Sequence, residues 1–291
     1  MTQQSTSYPV AIDTHYLGRE QQICCWRVDA HTIVDPGPTV SLQAIRDELA
    51  GTPLKRILVT HIHLDHSGGV GVLLREHPEA EVWVGERGAR HLIAPERLIA
   101  SAEQVYGGAD ELARLFGEIA PVPEERVRIV RHGDTVDEFV VAETPGHAKH
   151  HVSFLHTPSR DAYVGDTASV RVPGNDFVLP MTTPPDVDRV AWNHSLDAIA
   201  AWDPGRLMLT HFGAYDDVAD HIARTRQGLK WFGELAAELD ADAWGRALSA
   251  AVGAATGRDG FEGYATTMPA ETLWQGLAIE RERLAAKPAD A

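Results

Sequence analysis

Six consecutive positions, His61-Ile62-His63-Leu64-Asp65-His66, carry three histidines and an aspartate, and they follow directly on the apolar run Ile57-Leu58-Val59. Residues 56–59 are apolar enough to form a strand buried on both faces, and the polar run that begins at Thr60 marks its C-terminal end. That edge is where ligands bind in α/β sheets. Imidazole and carboxylate suit zinc, iron or manganese, and the absence of nearby cysteine excludes the closed thiolate sites of structural zinc. A catalytic metal site is therefore expected. His61 and His63, two apart on an extended segment, project to the same side and can converge on one ion. Asp65 and His66 follow as the chain turns toward a helix, where they can face a second ion. Gly68 and Gly69 have no Cβ and let that turn fold close against the site.

The rest of the chain reads as strands alternating with helices. Strands are expected at 23–28, 31–34, 82–84, 126–130, 139–143, 152–156, 162–165 and 206–209. Ser41 caps a helix through Leu42, Ile45 and Leu49 that stops at Gly51, and a second helix covers 67–77. Helices from Glu86 to Phe116 break at Pro95 and at Gly107-Gly108. Residues 169–188 carry Pro173, Pro180, Pro184 and Pro185 without periodicity and read as a long ordered loop, of the kind that often serves as a lid. From Asp216 onward, Val218, Ile222, Leu229, Phe232, Ala236 and Leu239 draw one apolar stripe. This predicts a helical C-terminal extension that packs on the domain, with a dimer surface or a pocket wall as the alternatives.

A net charge of -16 argues against a grip on nucleic-acid backbone. No stretch approaches the roughly 20 apolar residues that cross a bilayer, and the polar start lacks the pattern of an export signal. No nucleic acid, no membrane and a cytoplasmic location are the expectations. Cys24 and Cys25 are adjacent in an expected strand, where alternation points them to opposite faces, so neither a disulfide nor a thiolate metal site is expected. A homodimer is the base-rate expectation.

The histidine string resembles the signature motif of the metallo-β-lactamase superfamily, whose members fold as an αββα sandwich. Pro145-Gly146-His147 resembles that family's next ligand segment, Val164-Gly165-Asp166 its bridging-aspartate segment, and Leu209-Thr210-His211 its last-histidine segment. All four occur in the family's order, each at the end of an expected strand. The resemblance implies an α/β (α+β) fold: a four-layer αββα domain over residues 1–215, with a helical extension packed on it over 216–291. It further implies that His61, His63 and His147 hold one metal ion and that Asp65, His66 and His211 hold the other. Asp166 bridges them, Asp65 and Asp166 are the catalytic carboxylates, and His151 stands behind the ligands. Ala148-Lys149-His150 departs from the Thr-Pro-Gly more usual after the third-ligand histidine, and Lys149 reads as exposed.

Two divalent ions, zinc above all and iron or manganese as the other candidates, would lower the pKa of a shared water into the neutral range. With two aspartates and one hydroxide the local charge comes to about +1, which favours a small-molecule substrate with anionic oxygens. Hydrolysis of a small ester, thioester, lactone or phosphoester is the leading expectation. The alternatives are a persulfide dioxygenase of the same superfamily, which uses a single iron, and a non-catalytic signalling or binding protein. The helical extension is similar to that of glyoxalase-II-like thioesterases, although their glutathione-binding residues are not identifiable in this sequence. Two segments are positioned to cover the metals, 86–121 and 169–188. They offer Tyr106, Phe116, Phe177 and Met181 as apolar lining and Arg171 as an anion contact.

Overall fold

The protein is described by a computed structural model covering residues 7–267 and 269–286. The chain divides into two compact units, Met1–Arg131 and His132–Ala291.

In the first unit β1 (Val10–Asp13), β2 (Cys24–Arg27) and β3 (Thr32–Val34) form an antiparallel meander. β4 (Arg56–Val59), β5 (Glu81–Gly85) and β6 (Val127–Val130) then add in parallel, in the order β1-β2-β3-β4-β5-β6. Parallel neighbours need crossovers. α1 (Leu42–Leu49) carries the chain from β3 to β4, and α2 (Leu64–Ser67) with α3 (Val70–Glu76) carries it from β4 to β5. α4 (Glu86–Ile93), α5 (Glu96–Tyr106) and α6 (Ala109–Phe116) precede β6, and the breaks between them fall at Pro95 and Gly107-Gly108 as expected. Ile57 and Val59 of β4 and Val82 and Val84 of β5 pack with Leu42, Ile45 and Leu49 of α1 and Val70, Leu73 and Leu74 of α3. Each such side chain, once buried, contributes about 1.5–3 kcal/mol. The thiols of Cys24 and Cys25 are free and buried, and burial pushes both pKa values up.

The second unit holds a sheet in the order β12-β11-β10-β9-β8-β7. Its strands are β7 (Thr135–Val136), β8 (Phe139–Glu143), β9 (Val152–His156), β10 (Asp161–Tyr163), β11 (Arg206–Leu209) and β12 (Gly213–Tyr215), antiparallel except where β10 meets β11. α7 (Arg189–Ala201) supplies the crossover between those two, with Asp188 capping it by accepting from Ala191 N at 3.0 Å. α8 (Val218–Glu238), the kinked α9 (Ala241–Thr267) and α10 (Ala270–Ala285) close the chain. The stripe on α8 is buried: Ile222 and Leu229 pack with Trp192 and Leu196 of α7, and Phe232 and Ala236 pack with Trp244, Leu248 and Leu273.

Two mixed sheets, their crossover helices and a helical C-terminal segment bear out the expected fold class. β1, β7, β12 and α7 had not been anticipated. Among the described residues no helix is long and apolar enough to cross a membrane.

Candidate metal centre

β4 ends at Val59, and Thr60 begins the ligand string where β3, its parallel neighbour, also ends. Asp35 caps that end of the sheet from a left-handed backbone conformation (φ 48°) and is completely buried. Its carboxylate accepts from Thr60 N (2.8 Å), Thr60 Oγ1 (2.7 Å) and the Nδ1 of His66 (2.9 Å). Thr60 Oγ1, donating to Asp35, accepts in turn from His61 Nδ1 at 3.1 Å. Both imidazoles are thereby fixed as the tautomer protonated at Nδ1, with the Nε2 lone pair presented as the donor atom. His61 Nε2 lies 3.0 Å from His63 Nδ1, so the two histidines do converge. His63 stands at the N-terminus of α2, and its carbonyl accepts from His66 N and Ser67 N. Asp65 occupies the first turn, its carboxylate partly exposed and 3.8 Å from His66 Nε2.

In the second unit His147 follows β8 after Thr144-Pro145-Gly146. Gly146 has φ +146°, and a Cβ there would sit 2.3 Å from Cβ of Trp192, so the α7 tryptophan packs directly on the backbone before the histidine. His147 Nδ1 donates to Met181 O at 2.6 Å, which leaves Nε2 as the donor atom. Asp166, 2% exposed, lies between two imidazoles: Oδ2 is 3.4 Å from His147 Nε2 and Oδ1 is 3.7 Å from His211 Nε2. His151 stands behind Asp166, its Nε2 accepting from Asp166 N at 3.2 Å while Nδ1 faces Thr144 Oγ1 and Thr167 Oγ1. The donors in each unit, histidine nitrogens and carboxylate oxygens, are of the chemistry that holds a divalent metal ion.

The expected substrate contacts are distributed differently. Tyr106, on α5, is half-exposed and packs edge-on against Phe116 at 4.9 Å. Burial and then the negative charge of Asp65 push its phenol pKa up, and the same two causes act on Tyr16. The charge of Asp65 is thus felt at Tyr106. Residues 169–188 are loop, as expected, but their side chains serve the core. Phe177 packs on Tyr264 at 5.4 Å. The Met181 side chain joins Leu273 and Leu277, and only its carbonyl reaches toward His147. Arg171, expected as an anion contact, is engaged within the protein: Nη1 bonds both oxygens of Asp217, Nη2 bonds Asp176, and Nε bonds Asn175 O. Its guanidinium also lies 4.3 Å over the ring of Tyr215, a set of contacts that ties this loop to β12 and the start of α8. Lys149 is exposed and pairs with Asp186 at 2.7 Å.

Sequence reasoning missed Asp35 because Asp35-Pro36-Gly37-Pro38 reads first as a strand breaker. The signal for it was an acidic residue closing a buried strand beside the strand that carries the ligands.

A family model described as "Metallo-beta-lactamase superfamily" matches residues 23–211. The uncharacterized protein YobT of Bacillus subtilis is 30% identical over 155 residues, 53% of this chain and 58% of that protein. A hydroxyacylglutathione hydrolase of Xanthomonas campestris is 31% identical over 138 residues, 46% of this chain and 37% of that enzyme. The matches thus span less than two thirds of these relatives. Among solved structures, the archaeal metallo-beta-lactamase superfamily protein ST1585 from Sulfolobus tokodaii superposes with a TM-score of 0.68 at 21% identity, covering 94% of this chain and 99% of that one. At that identity the likeness is one of fold. With the family model spanning both groups of donor residues, the chain belongs to the metallo-beta-lactamase superfamily.

Proposed function

We propose that the two groups of donors together hold two divalent metal ions and that the protein hydrolyses a small ester, thioester, lactone or phosphoester. In this reading His61, His63 and His147 would hold one ion, Asp65, His66 and His211 would hold the other, and Asp166 would be shared by both. The observation that carries it is the placement of Asp166, whose two carboxylate oxygens face one histidine each. The metals would supply a water of lowered pKa and Lewis-acid polarisation of the scissile carbonyl or phosphoryl oxygen.

The chain's own residues hold the geometry and the proton. Thr60, Asp35 and the Met181 carbonyl hold the Nδ1 atoms of His61, His66 and His147, so that in each ring Nε2 is the atom turned to the metal site. Asp65, more open to solvent than Asp166, orients the attacking water through a carboxylate oxygen and carries its proton to the leaving group. One water adds across the scissile bond, giving the acid and the protonated alcohol or thiol. Asp65 and Asp166 neutralise only part of the charge of two divalent ions, which suits a substrate with anionic oxygens. The hydroxyacylglutathione hydrolases among the relatives support a hydrolytic reaction.

A panel of thioesters, lactones, carboxylate esters and phosphoesters tests the proposal. Turnover of at least one class is expected, lost on chelation, restored by a divalent metal and absent in His61→Ala. Absence of turnover across the panel by fully metallated protein, together with oxygen consumption on a persulfide, would overturn it.

A further inference from the structure

We propose that the C-terminal helix α10 positions His147, so that metal retention at this histidine depends on how α10 is seated. The inference rests on the reading of His147 as a metal ligand and adds a role for the helical segment that follows the last ligand.

Two hydrogen-bonded routes join His147 to α10, and both run through residues 181–189. The first starts at the ring. Met181 O accepts from His147 Nδ1 at 2.6 Å, and the next residue, the fully buried Thr182, donates from Oγ1 to Leu273 O of α10 at 2.9 Å. Gly276, one turn further along α10, lies directly against this peptide: a Cβ placed there would fall 2.0 Å from Thr182 O. The second route starts at the backbone. Gly146 O, one residue before the histidine, accepts from Asp188 N at 2.8 Å. The adjoining Arg189 donates from its backbone N (2.6 Å) and its Nε (2.5 Å) to the carboxylate of Glu280, a residue of α10 that is 2% exposed. Arg283 of α10 adds a bond to Val187 O at 2.7 Å.

The segment between these anchors belongs to no strand, and α7 begins only at its end. Its backbone is therefore placed by these bonds and by the cluster of Met181 and Val187 with Leu273 and Leu277, not by a sheet ladder. The carbonyl that orients an imidazole and raises its basicity sets how well that imidazole holds a metal. Displacing α10 moves Met181 O and, through Asp188, the backbone before the ring. Thr182, Gly276 and Glu280 act through His147 and are positioning residues.

The test is a titration of Co2+ into metal-free full-length protein, read by visible absorbance and by competition with a chelator. Wild type should take two equivalents, and His147→Ala should lose one. Thr182→Val, which removes only the hydroxyl bond to α10, and Gly276→Ala, which pushes a methyl into Thr182, should each weaken that same equivalent by about 10- to 100-fold. They should also shift its absorption band and leave the other equivalent unchanged. Thr182→Ser should restore wild-type binding. Should Gly276→Ala not fold, the Thr182 pair decides. Wild-type affinity and spectrum in folded Thr182→Val would overturn the brace while leaving the metal site standing. Unchanged binding in His147→Ala would overturn the ligand reading, and the brace with it.

Discussion

Asp35 and His66 lie 31 residues apart in sequence, yet both are fully buried and their side chains meet in a 2.9 Å hydrogen bond. This contact joins the ends of two parallel strands to the turn that carries the ligand string, and it fixes which nitrogen of His66 is available. Under the proposed ligation it also makes metal affinity at His66 depend on a residue that need not touch the metal. Asp35→Asn keeps the shape but leaves too few acceptors for Thr60 N, Thr60 Oγ1 and His66 Nδ1 together. The expected result is a loss of about 10- to 100-fold in affinity for one metal, measured against a chromogenic chelator. Wild-type affinity in this variant would show that the contact does not tune the site.

Arg171 is a test of structural against functional reading. Its side chain is 8% exposed and tied to Asp217 and Asp176. Arg171→Ala should therefore lower stability by about 1–3 kcal/mol, since the pair is partly open to solvent at the aspartates. KM for an anionic substrate should stay within twofold of wild type. A selective rise in KM with unchanged melting temperature would return Arg171 to the substrate site.

His221 predicts the acid limb of stability. It is buried on α8, Nε2 donates to Ala168 O at 2.7 Å, and its pKa falls to about 4. Burial is the main cause. The Ala168 bond and Asp217 oppose it, and Arg171 and Arg224 add to it. The unfolded chain takes up this proton near pH 6.5 and the folded chain only near pH 4. The contribution is thus fully present above pH 6.5 and is lost as pH falls toward 4, amounting to about 3 kcal/mol. His221→Gln keeps a donor at the Nε2 position without the titration. Urea unfolding of metal-free protein between pH 7 and pH 4 should show a shallower pH dependence in this variant, and an identical slope would contradict the assignment.

Much of this architecture is legible in the sequence because burial and ligation leave local marks. β4, β8, β10 and β11 lie where apolar runs lead into the four family-like segments, and the helix breaks at Pro95 and Gly107-Gly108 fall where backbone chemistry requires them. β7 and β12 are too short to carry a period, and their pairing is set by the neighbouring strands. α7 did carry a signal, in the Asp188 cap and the spacing of Trp192, Leu196 and Ile199. The proposed ligand residues stand out in the sequence because few other roles gather histidine and aspartate at strand ends. The partners behind them were not, since Asp35 and the Met181 carbonyl reach their histidines only through tertiary contacts. The same holds for residues 169–188. Proline content marks a loop, but only packing shows that Phe177 and Met181 face the C-terminal helices.

Elemental analysis of purified protein, before and after incubation with zinc, iron or manganese and removal of excess, tests the dinuclear reading most directly. Close to two tightly held metal ions per chain are expected, falling toward one when Asp166 is replaced by alanine and both ions lose their shared ligand. A single ion per chain at saturation, unchanged by Asp166→Ala, would contradict it.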